Sequence, residues 1–387
     1  MNRVEEDLAS LFRLLSFSRQ GCGGPTDSAW PALLRFCDRA QMTLLLENSP
    51  AFRIPEWVRR EVEARAARNA LRNERLWRAY EEISQQFRAA GIDFVVLKGF
   101  THLAFGEWRQ RVQYDLDLLI EPDSTSRALE ALRKLGYAPH RERSLSDQHA
   151  APMVRPFSWT WRGDYFDPDM PVPVDLHTQA WSDSSDRIRL DGAQAFWPRR
   201  SEVWFRRTLV PALHRCDRLA FAAMHAMRHI LRNDARPAHI YEIAAFLHKS
   251  VRNEAFWSEW AELHDEALRS IQAVAFRFAA EWFRCELPPC AAEAVARLPR
   301  PVRTWFAEFA WSPVAGLMQP NKDAVWLHMA LLSSLRDRIG VLRRRLMPSP
   351  LPLRAPGRLV DRAAYHASTI APALASGFRW WKRLTVS

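Results

Sequence analysis

Asp115 and Asp117 stand two residues apart at the start of the apolar run Leu116–Ile120. Residues two apart on a β-strand point to the same face, so the two carboxylates must lie side by side. Like charges that close repel, and one is pushed towards its protonated form unless a cation sits between them. A ligand set made only of oxygen favours a hard ion, Mg²⁺ or Mn²⁺. Read by itself, the pair also fits the solvated end of a strand. A further acid, Asp175, sits in a later apolar run, Val174–His177. There Val174 and Leu176 face one way while Asp175 and His177 face the other. An acid centred in an apolar strand needs a partner or a metal. His177 shares its face, where it either meets phosphate or substrate or serves as a packing residue.

The surrounding chain supplies elements that can hold these groups. Phe94–Leu97 is a short β-branched run bounded by Gly91 and Gly99, which reads as a buried strand. Residues 101–105 fit one or two helical turns before the second run. A helix follows from Pro122-Asp123-Ser124, with Asp123 or Ser124 as N-cap, and stops at Gly136. Tyr137-Ala138 begins another strand, 141–153 is a polar loop, and 156–161 and 172–178 are further strand candidates. A small mixed sheet is therefore expected over about 90–180. On its N-terminal side, Leu8, Leu11, Leu14 and Leu15 recur at helical spacing, and 60–89 reads as one long helix ending before Gly91. From 180 onward the pattern is helical again. The organisation expected is α+β: an N-terminal helical cap (1–89), a mixed-sheet core (90–180), a C-terminal helical region (181–326) and a basic helical tail (327–387).

Strand, Lys98-Gly99, short helix, then a strand with D-x-D resembles the core of the nucleotidyltransferases of the DNA polymerase beta superfamily. It is most similar to a bacterial branch with the pattern "LKG…R-x-x-x-D-[IL]-D-L-L". Here that pattern is Leu97-Lys98-Gly99, then Arg111, Asp115, Leu116, Asp117, Leu118 and Leu119. The superfamily more usually has Gly-Ser where this chain has Lys98-Gly99. The resemblance implies a polymerase-beta-like core and Asp175 as a third carboxylate, since "D-L-H" recurs in the branch. It further implies transfer of an NMP from an NTP, with Asp115, Asp117 and Asp175 as catalytic metal ligands for Mg²⁺ or Mn²⁺. A turn at Gly99 would let phosphates approach the backbone, and Lys98 or Arg111 would add charge to them. Equally, Lys98 fits a strand-end residue and Arg111 a simple neutraliser of the Asp pair. Glu242 stands where relatives tend to carry an acid.

The acceptor is not written in the residues. A small-molecule or sugar-type hydroxyl is expected, because no RNA-binding module is appended. Transfer to tRNA, as in toxin-type relatives, is the alternative with the same chemistry. A nucleotide-binding or scaffold protein without catalysis is the alternative of another class. It is motivated by Lys98-Gly99 in place of Gly-Ser, and opposed by three carboxylates that a scaffold would not need.

The 387 residues, 48% hydrophobic and 26% charged, describe a globular chain. A net charge of +11 suits an anionic partner such as nucleotide, nucleic acid or a membrane surface. A genome rich in arginine codons would produce the same excess. Five cysteines without a C-x-x-C pair read as thiols of a reducing compartment. The start carries acids and lacks a signal-peptide pattern, and no apolar run approaches the roughly 20 residues of a membrane span. A cytoplasmic location is expected. His225 and His229 are four apart on one helix, a zinc-like spacing, but the sequence shows no further ligand cluster beside them. The aromatic stripe of Trp257, Trp260, Phe276, Phe278, Trp282 and Phe283 reads as core. In the tail, Arg343 to Arg345 and Arg379-Trp380-Trp381-Lys382-Arg383 fit either helix packing or peripheral membrane contact.

Overall fold

A computed structural model of the chain describes residues 3–18, 24–48, 54–99, 101, 111–140, 150–184, 186–346 and 356–386. The expected helical turns at 101–105, the loop at 141–153 and the breaks near 21–25 and 49–50 lie largely outside the described residues.

Helices α1 (Arg3–Leu14), α2 (Trp30–Ala40) and α3 (Glu56–Ala89) come first. Strands β1 (Phe94–Leu97) and β2 (Leu116–Ile120) follow, then α4 (Thr125–Lys134) and strands β3 (Ala138–Pro139), β4 (Met153–Val154) and β5 (Val174–His177). The expected N-cap bond of α4 is not made: the Ser124 hydroxyl accepts from Arg127 instead. Two strands then appear where helix was expected, β6 (Ser201–Phe205) and β7 (Thr208–Ala212). They form a hairpin on the far side of β1, giving the sheet order β3-β4-β5-β2-β1-β7-β6. The strand expected at 156–161 is absent from the described residues; Met153 and Val154 pair with β3 and β5 in its stead. Helices α5 (Arg215–Leu231), α6 (Pro237–Lys249), α7 (Glu254–Leu263), α8 (Glu266–Phe283), α9 (Pro289–Ala296) and α10 (Arg300–Phe309) build the C-terminal body. The short α11 (Ser312–Ala315), then α12 (Ala324–Leu331), α13 (Leu335–Leu346) and α14 (Pro356–Val386) complete it. The architecture is α+β with a mixed sheet flanked by helices.

Alternation along the strands divides the core in two. Phe94, Val96, Leu116, Leu118, Val174 and Leu176 pack with Tyr80, Ile83 and Phe87 of α3 and Leu132 of α4. Val95, Leu97 and Leu119, on the opposite face, join the helical core of α5, α6 and α8, to which α1 and α2 also belong. The aromatic stripe is buried in that core, as expected. Of the tail, Trp380 donates to the Pro301 carbonyl and Arg379 and Arg383 pair with Glu308, while Phe378 and Trp381 are exposed. No helix among the described residues is long and apolar enough to cross a membrane.

One side chain ties α3 to both acid-bearing strands. Arg72 is fully buried, with 0% exposure. Its Nε donates to the Gln113 carbonyl at 2.8 Å, Nη2 to Tyr114 at 2.9 Å and Nη1 to Met170 at 3.0 Å. Asn69, one turn earlier, donates to the Arg111 carbonyl at 3.0 Å. The rigid guanidinium fork thus fixes the segments leading into β2 and β5 together, and burial lowers its pKa to about 10. Replacing it leaves several buried carbonyls without donors, each costing about 1–3 kcal/mol. Arg72→Met is therefore expected to lower unfolding free energy by about 3 kcal/mol or more. Arg72→Lys, which lacks the fork, should recover less than half of that loss; urea denaturation of the three proteins measures it.

Candidate active site

The acids meet because β2 and β5 run parallel in a single register, with Asp117 opposite Asp175 and Leu119 opposite His177. Asp115 precedes β2 on the same face. Carboxylate oxygens of Asp115, Asp117 and Asp175 all lie within 4.8 Å of one another. They occupy the face turned towards α5 and α6, not the face packed on α3.

Asp117 is the most enclosed of the three, and each of its oxygens has a partner. Oδ2 lies 2.9 Å from Lys98 Nζ and Oδ1 lies 2.8 Å from His177 Nε2. Burial opposes its charge, yet Lys98 and His177 hold the carboxyl well below the usual carboxylate range. Asp115 moves the other way, raised by burial and by the neighbouring Asp117 charge. The pair therefore splits, with Asp117 ionised and Asp115 the readier proton acceptor. Burial pulls Lys98 down, but Asp117 and Asp115 outweigh it and keep the ammonium protonated. Burial lowers His177 despite Asp117, so the neutral ring donates its Nε2 proton to Asp117.

The turn after β1 aims Lys98 at this cluster. Both Lys98 (φ 60°) and Gly99 (φ 56°) adopt the left-handed region, a strained choice for lysine of about 1–3 kcal/mol. Thr101 caps the turn, donating its hydroxyl to the Lys98 carbonyl at 2.8 Å. A Cβ on Gly99 would collide with the side-chain amide of Gln113, which would have to move. Gln113 in turn donates to the Asp115 carbonyl at 2.8 Å. The glycine thus makes room for a side chain that steadies the lead into β2. Arg111 pairs with Glu242 of α6.

The profile of a family described as uncharacterised nucleotidyltransferase matches residues 26–284, two thirds of the chain. The chain belongs to this family. Membership brings the general chemistry that the description states, nucleotidyl transfer, and with it an NTP as substrate class. No curated protein matches the chain significantly. The matched span covers every residue of the site, from Arg72 and Lys98 to His177 and Glu242.

Several site neighbours lack a local sequence signal. Arg72 and Asn69 are hidden in an arginine-rich helix whose polar residues suit solvent equally well. His225 approaches Lys98 Nζ at 3.3 Å, and His239 of α6 joins His225 and His229 of α5. The spacing of His225 and His229 was visible, but their third neighbour lies on another helix. Burial and Lys98 push His225 well below its ordinary value; burial and His229 do the same to His239.

The split within the acid pair has a measurable consequence. Asp117, with its folded pKa depressed, stabilises the fold above its unfolded value of about 3.9, and that contribution is lost as pH falls. Asp115, with its folded pKa raised, costs stability at neutral pH. In chelator at pH 7.5, Asp117→Asn should destabilise the protein by roughly 3 kcal/mol, because Lys98 is left without its counter-ion. Asp115→Asn should leave stability unchanged or raise it by up to about 1 kcal/mol. Urea melts of both variants decide; an equal loss in the two would contradict the assignment.

Proposed function

We propose that the chain is a divalent-cation-dependent nucleotidyltransferase that moves an NMP from an NTP to a hydroxyl on a small molecule, such as a sugar. The observation that carries this reading is the convergence of Asp115, Asp117 and Asp175 on one sheet face. Three carboxylates and no nitrogen or sulfur suit Mg²⁺ or Mn²⁺, and these three residues would hold the ions. When bound, such ions stabilise the attacking and leaving oxygens of an in-line phosphoryl displacement.

The chain's own residues divide the remaining work. Lys98 stays protonated beside Asp117 and supplies positive charge to the incoming phosphates, as an ammonium does in other phosphate sites. His177, buried and donating to Asp117, orients that carboxylate and acts on substrate through it. Asp175 accepts the proton of the attacking hydroxyl. Arg111, held by Glu242, adds to the positive field near Lys98 and Asp115. The backbone at Gly99 lies beside the phosphates.

Next to the site, at the C-terminal ends of β2 and β5, a cavity begins at Leu119 and Thr178, and none of the three acids lines it. It encloses about 600 Å³ and is lined by Glu121, Thr178, Gln179, Trp181, Asp183 and Trp197, among others. That volume matches the range of small-ligand pockets, and its mixed aromatic and polar lining suits a hydroxylated ligand. A nucleic-acid acceptor draws its support from Arg343 and Arg344, which are exposed on α13, whereas Arg345 is engaged by Asn233 at 2.6 Å.

Labelled NTPs offered with Mg²⁺ or Mn²⁺ and a fractionated cell extract should place label in a low-molecular-weight fraction. Asp117→Ala and Asp175→Ala should each reduce that transfer by at least about 10²–10³-fold. Transfer at the wild-type rate in either variant would contradict the assignment. The acceptor class is tested by Arg343→Ala/Arg344→Ala. A small-molecule enzyme keeps its activity in this variant, and tRNA does not compete at moderate salt. Were RNA the acceptor, binding would fall with salt at a log–log slope of about −0.7 per phosphate contact. The variant would then shallow that slope by roughly one unit per lost contact.

A further inference from the structure

We propose that His225, His229 and His239 form a second metal site, a three-imidazole site for a zinc-class transition-metal ion set against the carboxylate cluster. The proposal rests on the arrangement of these side chains and is independent of the nucleotidyl-transfer reading.

His225 and His229, four apart on α5, share a helix face. Helix α6 packs across α5 and adds His239, so that one ring nitrogen from each residue lies within 4.8 Å of the others. The Nε2 atoms of His225 and His229 are 3.2 Å apart. Two ligands of a tetrahedral zinc at about 2.0–2.1 Å lie roughly 3.3 Å from each other, so this spacing already fits.

Proton counting shows why a cation belongs there. A ring nitrogen carries either one hydrogen or one lone pair. His225 Nε2 nevertheless has two close neighbours, His229 Nε2 at 3.2 Å and Lys98 Nζ at 3.3 Å. If His225 accepts from Lys98, its lone pair also faces the His229 lone pair. If it donates to His229 instead, its N–H faces the ammonium. With both rings neutral, one contact is repulsive in either case. His229 Nδ1 lies 3.1 Å from Asp234 Oδ2 and donates to it, so that a neutral His229 ring presents its Nε2 lone pair to His225. That carboxylate–imidazole arrangement is the usual support of a metal-bound histidine. His239 Nδ1 is buried and has no hydrogen-bond partner among the described residues. A metal ion taking one lone pair from each ring removes the conflict.

Charge does not forbid it. Lys98 is paired with Asp117, Arg111 with Glu242 and Arg236 with Asp234. The two sites would also differ in what they select. Nitrogen ligands suit zinc, cobalt, nickel or copper, whereas the carboxylate cluster suits magnesium or manganese. Lys98 lies between them, 2.9 Å from Asp117 and 3.3 Å from His225. Occupation of the imidazole site would withdraw His225 from Lys98 and leave the ammonium to Asp117 and the incoming phosphates.

The test is Co²⁺ and Zn²⁺ binding to the full chain with Mg²⁺ in excess. One equivalent of Co²⁺ should give the intense visible absorption of a low-coordinate nitrogen site, and one equivalent of Zn²⁺ should abolish it. His229→Ala and His239→Ala should each weaken Zn²⁺ binding at least about a hundredfold, and Asp234→Asn about tenfold. Asp115→Asn and Asp175→Asn should leave it unchanged. Circular dichroism checks each fold; should His239→Ala unfold, His239→Gln keeps a polar side chain of similar size and must show the same loss. Zn²⁺ binding no tighter than that of the histidine variants would overturn the proposal. So would binding lost in the Asp115 or Asp175 variants and kept in the histidine ones.

Discussion

Holding three carboxylates together inside a folded protein is electrostatically unfavourable, and much of this structure answers that constraint. Asp117 bears the largest burden, because it lies on a central strand with only 2% of its side chain exposed. Its ionised state is kept by one ammonium and one neutral imidazole, each bonded to a different oxygen. To place that ammonium the chain accepts a lysine in the left-handed region, next to a positive-φ glycine where a Cβ would displace the Gln113 amide. Repulsion is also relieved by unequal protonation, since Asp115 is raised while Asp117 is lowered. Removing Lys98 would therefore disturb Asp117, and through it the balance of the whole cluster.

Precision in the cluster depends on backbone more than on side-chain contacts. Parallel pairing of β2 and β5 sets Asp117 opposite Asp175, and a slip of one residue in either strand would turn that strand's acid into the apolar face on α3. Arg72 and Asn69 guard against such a slip by gripping carbonyls just ahead of both strands. The grip comes from the helix on one face of the sheet, while the carboxylates lie on the other. On the face bearing the acids, α5 and α6 bring His225 against Lys98 and Glu242 against Arg111, so the cluster lies between sheet and helical body.

How far the sequence foretold this follows from which signals are local. The alternation in Asp115–Leu119 and in Val174–His177 is a property of a few adjacent residues, and the faces it implied are those observed. The long helix before Gly91 and the buried aromatic stripe were readable for the same reason. The β6–β7 hairpin was not, because its turn consists of Arg206 and Arg207, both with positive φ. Such a turn is normally announced by Asn-Gly or a similar pair, and Pro211 within β7 further obscured the strand. Arg206 holds its unusual conformation against α3, where it pairs with Glu74 and covers Trp77. The strand expected at 156–161 failed for the converse reason, apolar residues without a partner strand to take them. Arg72 and His239 act across long separations, and nothing in their neighbourhoods distinguishes them from exposed helix residues.

The central claim is that Asp115, Asp117 and Asp175 jointly hold a hard divalent cation. Crystals of the chain grown with Mn²⁺ and a non-hydrolysable NTP analogue test it most directly, by anomalous scattering from the metal. The account predicts a manganese peak about 2.2 Å from oxygens of all three carboxylates, with the analogue's phosphates on the side of Lys98. A crystal with the analogue bound but manganese elsewhere, and Asp117 still paired only with Lys98 and His177, would contradict it.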